Sequence, residues 1–327
     1  MEEKELSVGE YKLPYDYLIL APGAETNYYN IKGAEENSFS LKSLENAIKI
    51  KNHLIVTLDR ASHIKDRNER RKKLSFVIVG GGPTGVELSA EMAEFLRGTF
   101  SYYCNPEIIE DISITLIQKD KNLLPQLNPK IREKSLSVLK KYGINVIFGK
   151  KVVEINPSYV LLESGEQVLA ETVIWVAGIK PKNIKFSAEI NQTESGKILV
   201  NDFLQLPQYP NVFALGDVAA FTKKEGRALP ALAQVAQKSG KAVATNIERL
   251  IQHKHPIPFS YTHSGDLISL GKWMAVGGIH GFNISGKFTW WLWRTVYLFK
   301  LISFKKKVKV ALDWTVNLFA PRDISQF

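Results

Sequence analysis

The chain has 327 residues, 45% of them hydrophobic and 23% charged, which allows two folded domains and excludes a disordered chain. Its one cysteine, Cys104, excludes a disulfide framework, a cysteine metal site and a redox-active cysteine pair. The net charge of +10 does not indicate a nucleic-acid partner, because the excess lies between Lys287 and Lys309, with seven Lys or Arg and no Asp or Glu.

The first 73 residues predict a short strand, a helix and a linker. Residues 1–5 are polar and mostly acidic, without the apolar region of an export signal. Tyr15–Gly23 predicts a strand that ends in a Pro-Gly turn. Ser43 is the predicted N-cap of a packing helix whose apolar positions fall within Leu44–Leu58. The basic run Arg67–Lys73 is expected to be a solvated linker.

The stretch Phe76–Glu91 predicts a strand, a tight turn and a helix. Gly80, Gly82 and Gly85 have the G-x-G-x-x-G spacing: the first allows the turn, the second lets a pyrophosphate approach the backbone, and the third lets helix and strand pack closely. The helical pattern begins with Val86 and Leu88, and such a helix points its free N–H groups at the phosphates. We therefore expect a dinucleotide site rather than a plain glycine turn.

The residue expected to contact the ribose is unusual. The next strand, Ile112–Ile117, ends at Gln118, where an Asp or Glu would normally accept the ribose 2′-OH. Gln118 can bond the ribose but carries no charge to repel a 2′-phosphate, and Lys119 and Lys121 follow it. This pattern predicts NADH with relaxed discrimination against NADPH, unless Gln118 is an ordinary strand-end residue.

Alternating elements complete the predicted nucleotide domain. A helix over Pro129–Tyr142 ends at Gly143, and Asn145–Phe148 is a strand. A hairpin across Glu163–Glu166 and a strand over Thr172–Gly178 follow. Strands that alternate with helices indicate a parallel sheet.

A second tract begins near Ser187. Asn211–Asp217 predicts a strand that ends on Gly216 and Asp217, where an acid suits a hydroxyl-rich ligand such as a ribityl chain; an ordinary Asp cap is the alternative. Leu232–Ile251 predicts a helix, with Gly240 allowing close approach of a backbone or ligand.

Several motifs occur in the order found in two-dinucleotide flavoproteins. They are Tyr15–Gly23, the Gly80 turn with Gly85–Glu87, Ile174–Gly178, Phe213–Asp217 and Ala233–Ala236. The last motif, with Leu292–Leu298, resembles the type II NADH dehydrogenases, which are non-proton-pumping NADH:quinone oxidoreductases. The resemblance covers nearly the whole chain.

The resemblance implies an α/β, tandem Rossmann-like fold with C-terminal amphipathic helices. The implied segments are 1–73, a remnant of an FAD domain plus a linker helix; 74–183, an NAD(P)H domain; 184–286, the rest of the FAD domain; and 287–327, membrane-anchor helices.

The resemblance also implies roles for single residues. FAD would lie against Ala21, Gly23, Gly216 and Asp217, and the NADH pyrophosphate against Gly80, Gly82, Pro83 and Gly85. Gly178 would line the nicotinamide side, and Gln118 the ribose. Glu87 would lie near the nicotinamide and flavin rings, although a helix first turn also favours an acid. Ala233 and Gln234 would lie on the flavin and quinone side; no metal is implied.

Two departures from the family pattern stand out. The family's second glutamine on this helix is Lys238 here, which could donate to a quinone carbonyl or indicate a different headgroup or lost activity. The family also begins with a βαβ unit for the FAD adenylate, and nothing of that kind precedes Tyr15. The interpretation is an N-terminally truncated or shortened chain with weakened FAD binding; a remodelled protein is the alternative.

The segment Phe288–Phe304 predicts a membrane-surface helix. It is apolar and aromatic but too short for a span, is interrupted by Arg294 and Lys300, and is followed by Lys305–Lys307. Residues 287–319 are therefore expected to bind anionic lipid at the cytoplasmic face of the cell membrane. Packing in a core or a homodimer interface is the alternative.

The predicted function is FAD-dependent oxidation of NADH, with NADPH as an alternative donor, and reduction of a membrane quinone. Another FAD- and NAD(P)H-dependent reductase, such as a ferredoxin-type reductase, is one alternative. A flavin-free NAD(H)-binding module is the other.

Overall fold

The computed structural model describes residues 5–8, 11–184, 186–221, 229–279, 281–301 and 303–319. The chain divides into two compact units, each built from two segments. The first unit combines residues 1–25 with 179–263, and the second combines 26–178 with 264–327.

The strands, in chain order, are β1 (Glu5–Val8), β2 (Tyr11–Pro14), β3 (Leu18–Leu20), β4 (Ala24–Thr26), β5 (Phe39–Ser40), β6 (Ser75–Val79), β7 (Ser113–Gln118), β8 (Ile144–Phe148), β9 (Val152–Asn156), β10 (Tyr159–Leu162), β11 (Gln167–Leu169), β12 (Thr172–Trp175), β13 (Ile179–Pro181), β14 (Ile198–Leu199), β15 (Gln205–Leu206), β16 (Tyr209–Ala214), β17 (Ala219–Ala220), β18 (Asp266–Ser269), β19 (Ala275–Ile279) and β20 (Phe282–Gly286).

The α-helices are α1 (Leu44–Ser62), α2 (Arg67–Lys73), α3 (Pro83–Ala93), α4 (Pro106–Glu110), α5 (Pro129–Lys141), α6 (Ala233–Ile251), α7 (Lys287–Lys300) and α8 (Phe304–Phe319). A π-helical segment, Glu94–Thr99, continues α3. None of the helices within the described ranges has the length and apolar composition needed to cross a bilayer.

A five-stranded parallel sheet forms the centre of the second unit, in the order β5-β12-β6-β7-β8. Strand β6 is buried on both faces, because Phe76 and Ile78 pack with α1, α3 and α5 while Val77 and Val79 pack with the β9–β11 sheet. A parallel strand covered on both faces needs a continuous apolar run, which explains the sequence before Gly80.

Two predicted helix ends are present in this unit. Ser43 caps α1, where its hydroxyl accepts the Asn46 backbone N–H and the Asn46 side chain accepts the Ser43 N–H. Helix α5 is followed by Gly143 in a left-handed conformation, with φ of +68°. Both ends satisfy backbone groups that the helix leaves unpaired.

The prediction of a solvated linker over Arg67–Lys73 is wrong. This run is helix α2, and Arg67, Arg70 and Arg71 all donate to the buried carboxylate of Asp111 at 2.8–2.9 Å. Burial alone would raise the pKa of Asp111, but the three arginines outweigh it and lower that pKa to about 2. The basic run therefore fastens α2 to the chain segment before β7.

The first unit contains a smaller sheet and helix α6. Strand β16 pairs in parallel with β3, placing Ala214 opposite Leu20, and antiparallel with β15. The apolar core of α6 includes Val235 and Val243 and packs with Phe213. No described atom lies within 4 Å of a Cβ built on Gly240, so the close approach predicted there is not made by the described part of the protein.

The C-terminal part of the second unit is a three-stranded antiparallel sheet, β18-β19-β20, followed by α7 and α8. Ile268 and Val276 of this sheet belong to the same core as Ile131 of α5. Trp273 and Trp290 pack with ring centroids 4.8 Å apart, so α7 is held against the sheet by aromatic contacts.

Candidate functional site

The glycine turn after β6 has the geometry that its spacing predicts. Gly80 has φ of +118°, and a Cβ there would lie 2.7 Å from the Ala177 Cα. A Cβ on Gly85 would lie 1.8 Å from the carbonyl oxygen of Gly80, so helix and strand pack too closely for any side chain. A Cβ on Gly82 meets no described atom within 4 Å, which leaves the backbone open to a ligand.

Three candidate residues follow parallel strands of one sheet. Gly80 follows β6, Gln118 ends β7, and Gly178 lies three residues beyond β12. These strands are parallel neighbours, so their carboxyl ends share one edge. Ligands of open α/β sheets bind at this edge.

Gly178 is required by its packing. A Cβ there would lie 2.2 Å from the Tyr29 hydroxyl oxygen, and the Gly178 carbonyl accepts the Asn27 N–H at 3.0 Å. The Trp175 indole N–H donates to the Asn27 carbonyl at 2.9 Å. The segment after β12 is therefore held closely against residues 27–29.

Gln118 is buried, and both ends of its amide bond within the protein. Its Oε1 accepts the Gly81 backbone N–H at 2.8 Å, and its Nε2 donates to Asp120 Oδ2 at 2.8 Å. Gln118 thus links the glycine turn to a carboxylate. The sequence considerations did not single out Asp120, although it lies only two residues beyond the strand end.

Glu87 lies in the second turn of α3, and the first turn contains no acidic residue. The alternative explanation for an acid at position 87, stabilisation by the dipole at the first turn of the helix, is therefore wrong. Burial raises the pKa of Glu87, and the nearby charge of Glu91 adds to this effect. A hydrogen bond to Glu87 Oε1 from the Ser269 backbone N–H, 3.0 Å away, opposes it, and the resulting pKa is about 7.

A cavity of about 430 Å³ in the second unit opens beside Glu87. Glu91 and Glu94 line it from the same helical face, and Glu94 Oε2 accepts the Lys272 backbone N–H at 2.5 Å. The opposite wall comes from α7 and α8 and contains Trp290, Trp293, Arg294 and Trp314.

The α7 wall of this cavity is strongly aromatic. The Arg294 guanidinium lies 4.4 Å from the ring centroid of Trp290 and 4.6 Å from that of Trp314, which explains how a buried cation is tolerated. The indole N–H of Trp293 is buried without a hydrogen-bond partner among the described residues. The Glu87 carboxyl, whose pKa is raised, thus lines the same cavity as the aromatic side chains and the buried indole N–H of Trp293.

The remaining candidates lie in the first unit, at the carboxyl edge of β3 and β16. Ala21 and Gly23 follow β3, and Gly216 and Asp217 follow β16 in a short 3-10 turn. The Leu215 N–H donates to the Leu20 carbonyl at 3.1 Å.

The start of α6 lies beside the same edge. A Cβ on Gly216, whose φ is +71°, would lie 3.3 Å from the Ala236 Cβ. Ala233 and Gln234 form the first turn of α6. The first unit therefore brings these six candidates, Ala21 and Gly23 included, to one region.

Lys238 lies one turn further along α6. Its ammonium donates to the Thr262 carbonyl at 2.7 Å and lies 5.0 Å from the ring centroid of Tyr261. The Tyr261 hydroxyl is 3.0 Å from His263 Nδ1. Over the ranges that the structure describes, no cluster of three or more His, Cys, Asp or Glu could hold a metal ion.

Family models match both parts of the chain. Residues 1–240 match the pyridine nucleotide-disulphide oxidoreductase family, and residues 263–323 match the NDH2 C-terminal domain. Since the first match covers more than half of the sequence, the chain belongs to the pyridine nucleotide-disulphide oxidoreductase family.

Individual relatives within this family are more specific than the family model, because they are named as NADH dehydrogenases. A probable NADH dehydrogenase of Dictyostelium discoideum is 32% identical, with 97% of this chain and 70% of that protein aligned. The type II NADH:quinone oxidoreductase of Mycobacterium tuberculosis is 28% identical, with the same shares aligned. The predicted resemblance to type II NADH dehydrogenases is confirmed. The chain spans 65 to 71% of the length of the curated relatives it matches.

The fold is also found among solved structures. NDH2 from Plasmodium falciparum in complex with NADH superimposes with a TM-score of 0.89 at 22% identity, covering 96% of this chain and 80% of that one. The predicted flavoprotein-type α/β fold is confirmed.

Proposed function

We propose that this chain oxidises NADH and passes the electrons to a membrane quinone, with FAD as its bound cofactor. One observation carries the proposal: the open backbone at Gly82 is the N-cap of the helix that carries Glu87, a carboxyl group whose pKa is raised to about 7. Perturbed groups beside a ligand site are characteristic of enzymes. The names of the relatives support the same reaction.

NADH is proposed to bind at the carboxyl edge of the five-stranded sheet. The pyrophosphate is proposed to lie over Gly82. This residue has no side chain, and no described atom lies within 4 Å of an added Cβ, so a ligand can contact the backbone directly. Gly80 and Gly85 keep the turn tight, and Pro83 begins the helix whose N–H groups face the phosphates. Gly178, on the neighbouring strand end, lines the nicotinamide side.

FAD is proposed to bind in the first unit. Gly23, whose φ is +76°, has no described atom within 4 Å of an added Cβ, so a cofactor can contact its backbone as well as that of Ala21. Asp217 follows the parallel strand beside it and accepts hydroxyl groups of the ribityl chain. Gly216 and Ala233 keep that space free of large side chains. Bound flavin supplies hydride acceptance and electron donation.

The reaction NADH + H⁺ + quinone → NAD⁺ + quinol takes up one proton. Glu87 is proposed to hold and release that proton, because a carboxyl with a pKa of about 7 exchanges protons readily at neutral pH. Gln234 and Lys238 on α6 are proposed to donate to the quinone carbonyls. Lys238 reaches such a ligand by giving up its bond to the Thr262 carbonyl.

The membrane contact is proposed to lie on α7 and α8. Four apolar residues of α8 are spaced by four and exposed: Phe304 by 80%, Leu312 by 62%, Val316 by 60% and Val308 by 44%. Exposed lysines at 305, 306 and 309 flank this stripe. Such a helix suits an anionic membrane surface, here the cytoplasmic face of the cell membrane, where the quinone is dissolved. A homodimer that buried the stripe instead would be detected by its mass in solution.

Anaerobic turnover tests the proposal. The full chain, supplemented with FAD, is mixed with NADH and a water-soluble short-chain quinone, and NADH loss and quinol formation are followed together. We expect equal amounts of both, with turnover strongly reduced in Glu87→Gln and unchanged in Glu45→Gln, an exposed acid on α1. NADH loss without matching quinol formation contradicts the assigned acceptor.

A further inference from the structure

The end of β7 is joined to the glycine turn by a chain of hydrogen bonds. The Gly81 N–H donates to Gln118, and the Gln118 amide donates to the Asp120 carboxylate, each at 2.8 Å. The Gln118 side chain lies directly beneath the turn, because a Cβ on Gly81 would lie 3.0 Å from its Cβ. Gln118 therefore links the Asp120 carboxylate to the glycine turn.

The loop that carries Asp120 is held at three further points. The Gly149 N–H donates to the Asp120 carbonyl at 3.2 Å, and the Leu124 N–H donates to the Gly81 carbonyl at 2.8 Å. Leu123 and Leu124 are fully buried. The 119–124 loop is thus fastened to the sheet and to the glycine turn, while the Asp120 side chain faces solvent.

We infer that Asp120, positioned by Gln118, binds the adenosine ribose hydroxyls of the dinucleotide and makes the site select NADH over NADPH. The inference rests on the proposed binding of NADH at the glycine turn. Gln118 acts as a positioning residue, since it contacts the turn and the carboxylate rather than the ligand.

The chemistry follows from the charge at this edge. In dinucleotide folds the end of the second strand meets the ribose, and a carboxylate there accepts the 2′-hydroxyl. A carboxylate offers several acceptor positions, so the bond from Gln118 leaves room for a hydroxyl. The 2′-phosphate of NADPH would place a second anion against Asp120, and the two would repel each other.

Two lysines flank Asp120, and their effect is weaker. Lys119 and Lys121 are exposed, so water and salt screen their attraction for a phosphate. Asp120, in contrast, is fixed through both its side chain and its backbone. On this inference the discriminating charge lies two residues beyond the neutral Gln118, so the site selects NADH although the strand end carries no charge.

Calorimetric titration of the full chain with NAD⁺ and NADP⁺ tests the inference without any turnover. In Asp120→Asn we expect the preference for NAD⁺ over NADP⁺, taken as the ratio of the two Kd values, to fall by about tenfold or more, chiefly through tighter NADP⁺ binding. Asp59→Asn removes the same charge from an exposed site on α1 and should leave the ratio unchanged. Gln118→Met, which removes only the amide, should lower the ratio by a smaller factor.

The outcomes separate this inference from the proposed reaction. A ratio in Asp120→Asn equal to that of Asp59→Asn overturns the role of Asp120, even if NADH:quinone turnover is found. Equal weakening of both nucleotides also overturns it, since that result indicates only structural damage. A shifted ratio in a chain that does not reduce quinone supports the inference and counts against the reaction alone.

Discussion

The Ser269 backbone N–H donates to Glu87 Oε1 across 3.0 Å, joining α3 to the end of strand β18. A carboxylate in this position gains one hydrogen bond but loses most of its hydration. The pKa rises from 4.5 to about 7 because the loss of hydration is the larger effect. The fold therefore favours the protonated form of Glu87.

This shift predicts how stability depends on pH. Between pH 4.5 and 7 the folded chain holds a proton on Glu87 that the unfolded chain has lost, so this residue makes the folded state less stable as pH rises. Glu87→Gln removes the effect. Relative to wild type, the variant should gain about 3 kcal/mol between pH 5 and pH 8, measured by urea unfolding. A difference that is the same at both pH values contradicts the buried, protonated carboxyl.

The Asp111 cluster predicts the opposite dependence. Its pKa is lowered to about 2, so the stability it contributes is present at neutral pH and is lost as pH falls through 4 towards 2. Asp111→Ala should cost about 3–5 kcal/mol at pH 7, because the buried cation of Arg70 loses its partner. Arg67→Ala and Arg71→Ala should each cost much less, because these side chains are half exposed and water screens their attraction for Asp111. Equal losses of stability in all three variants would contradict this account, since the exposed arginines would then contribute as much as the buried carboxylate.

Gly82 and Gly85 form a matched pair that separates binding from folding. Gly82→Ala should fold normally, because its φ of −75° suits alanine and no described atom obstructs the Cβ, but it should bind NADH at least about tenfold more weakly. Gly85→Ala should lose stability, since its Cβ would lie 1.8 Å from the Gly80 carbonyl oxygen. Thermal unfolding and nucleotide titration of both variants check this. If Gly82→Ala binds NADH normally, the pyrophosphate does not lie at this turn.

The apolar stripe of α8 predicts lipid binding. Replacing Phe304, Val308 and Leu312 by serine should lower partitioning onto anionic vesicles at least about 100-fold, because their apolar surface no longer enters the bilayer. Ile251→Ser, an exposed apolar residue at the end of α6, is the control and should float like wild type. Vesicle flotation of all three proteins makes the comparison. Loss of a dimer without any change in flotation would assign the stripe to self-association.

Local patterns are sufficient to predict the strand and glycine turn at the centre of the second unit. A continuous apolar run, Phe76–Val79, indicated a strand covered on both faces, and the glycine spacing after it indicated the turn. Gly143 indicates the end of α5, because the residue after a helix often adopts a left-handed conformation that glycine takes without strain. In each case the determining interactions lie within a few residues of one another.

The predictions that differ from the structure depend on contacts between residues far apart in the sequence. The sequence predicts a solvated surface for the arginines of α2, because their partner, Asp111, lies some 40 residues further along the chain. Glu87 is largely buried, and its hydrogen-bond donor Ser269 lies 182 residues further along the chain, so sequence spacing does not show its raised pKa. The position of Asp120 also depends on the fold, because only the bond from Gln118 shows that the loop returns this carboxylate towards the turn.

In the proposed reaction this chain accepts a hydride from NADH through a bound flavin and gives the electrons to a quinone. The most direct test is the visible absorption spectrum of the purified full chain under anaerobic conditions. We expect a flavin band that is lost on adding NADH and returns on adding quinone. A colourless protein that binds NADH, or a flavin band that NADH does not change, would contradict it.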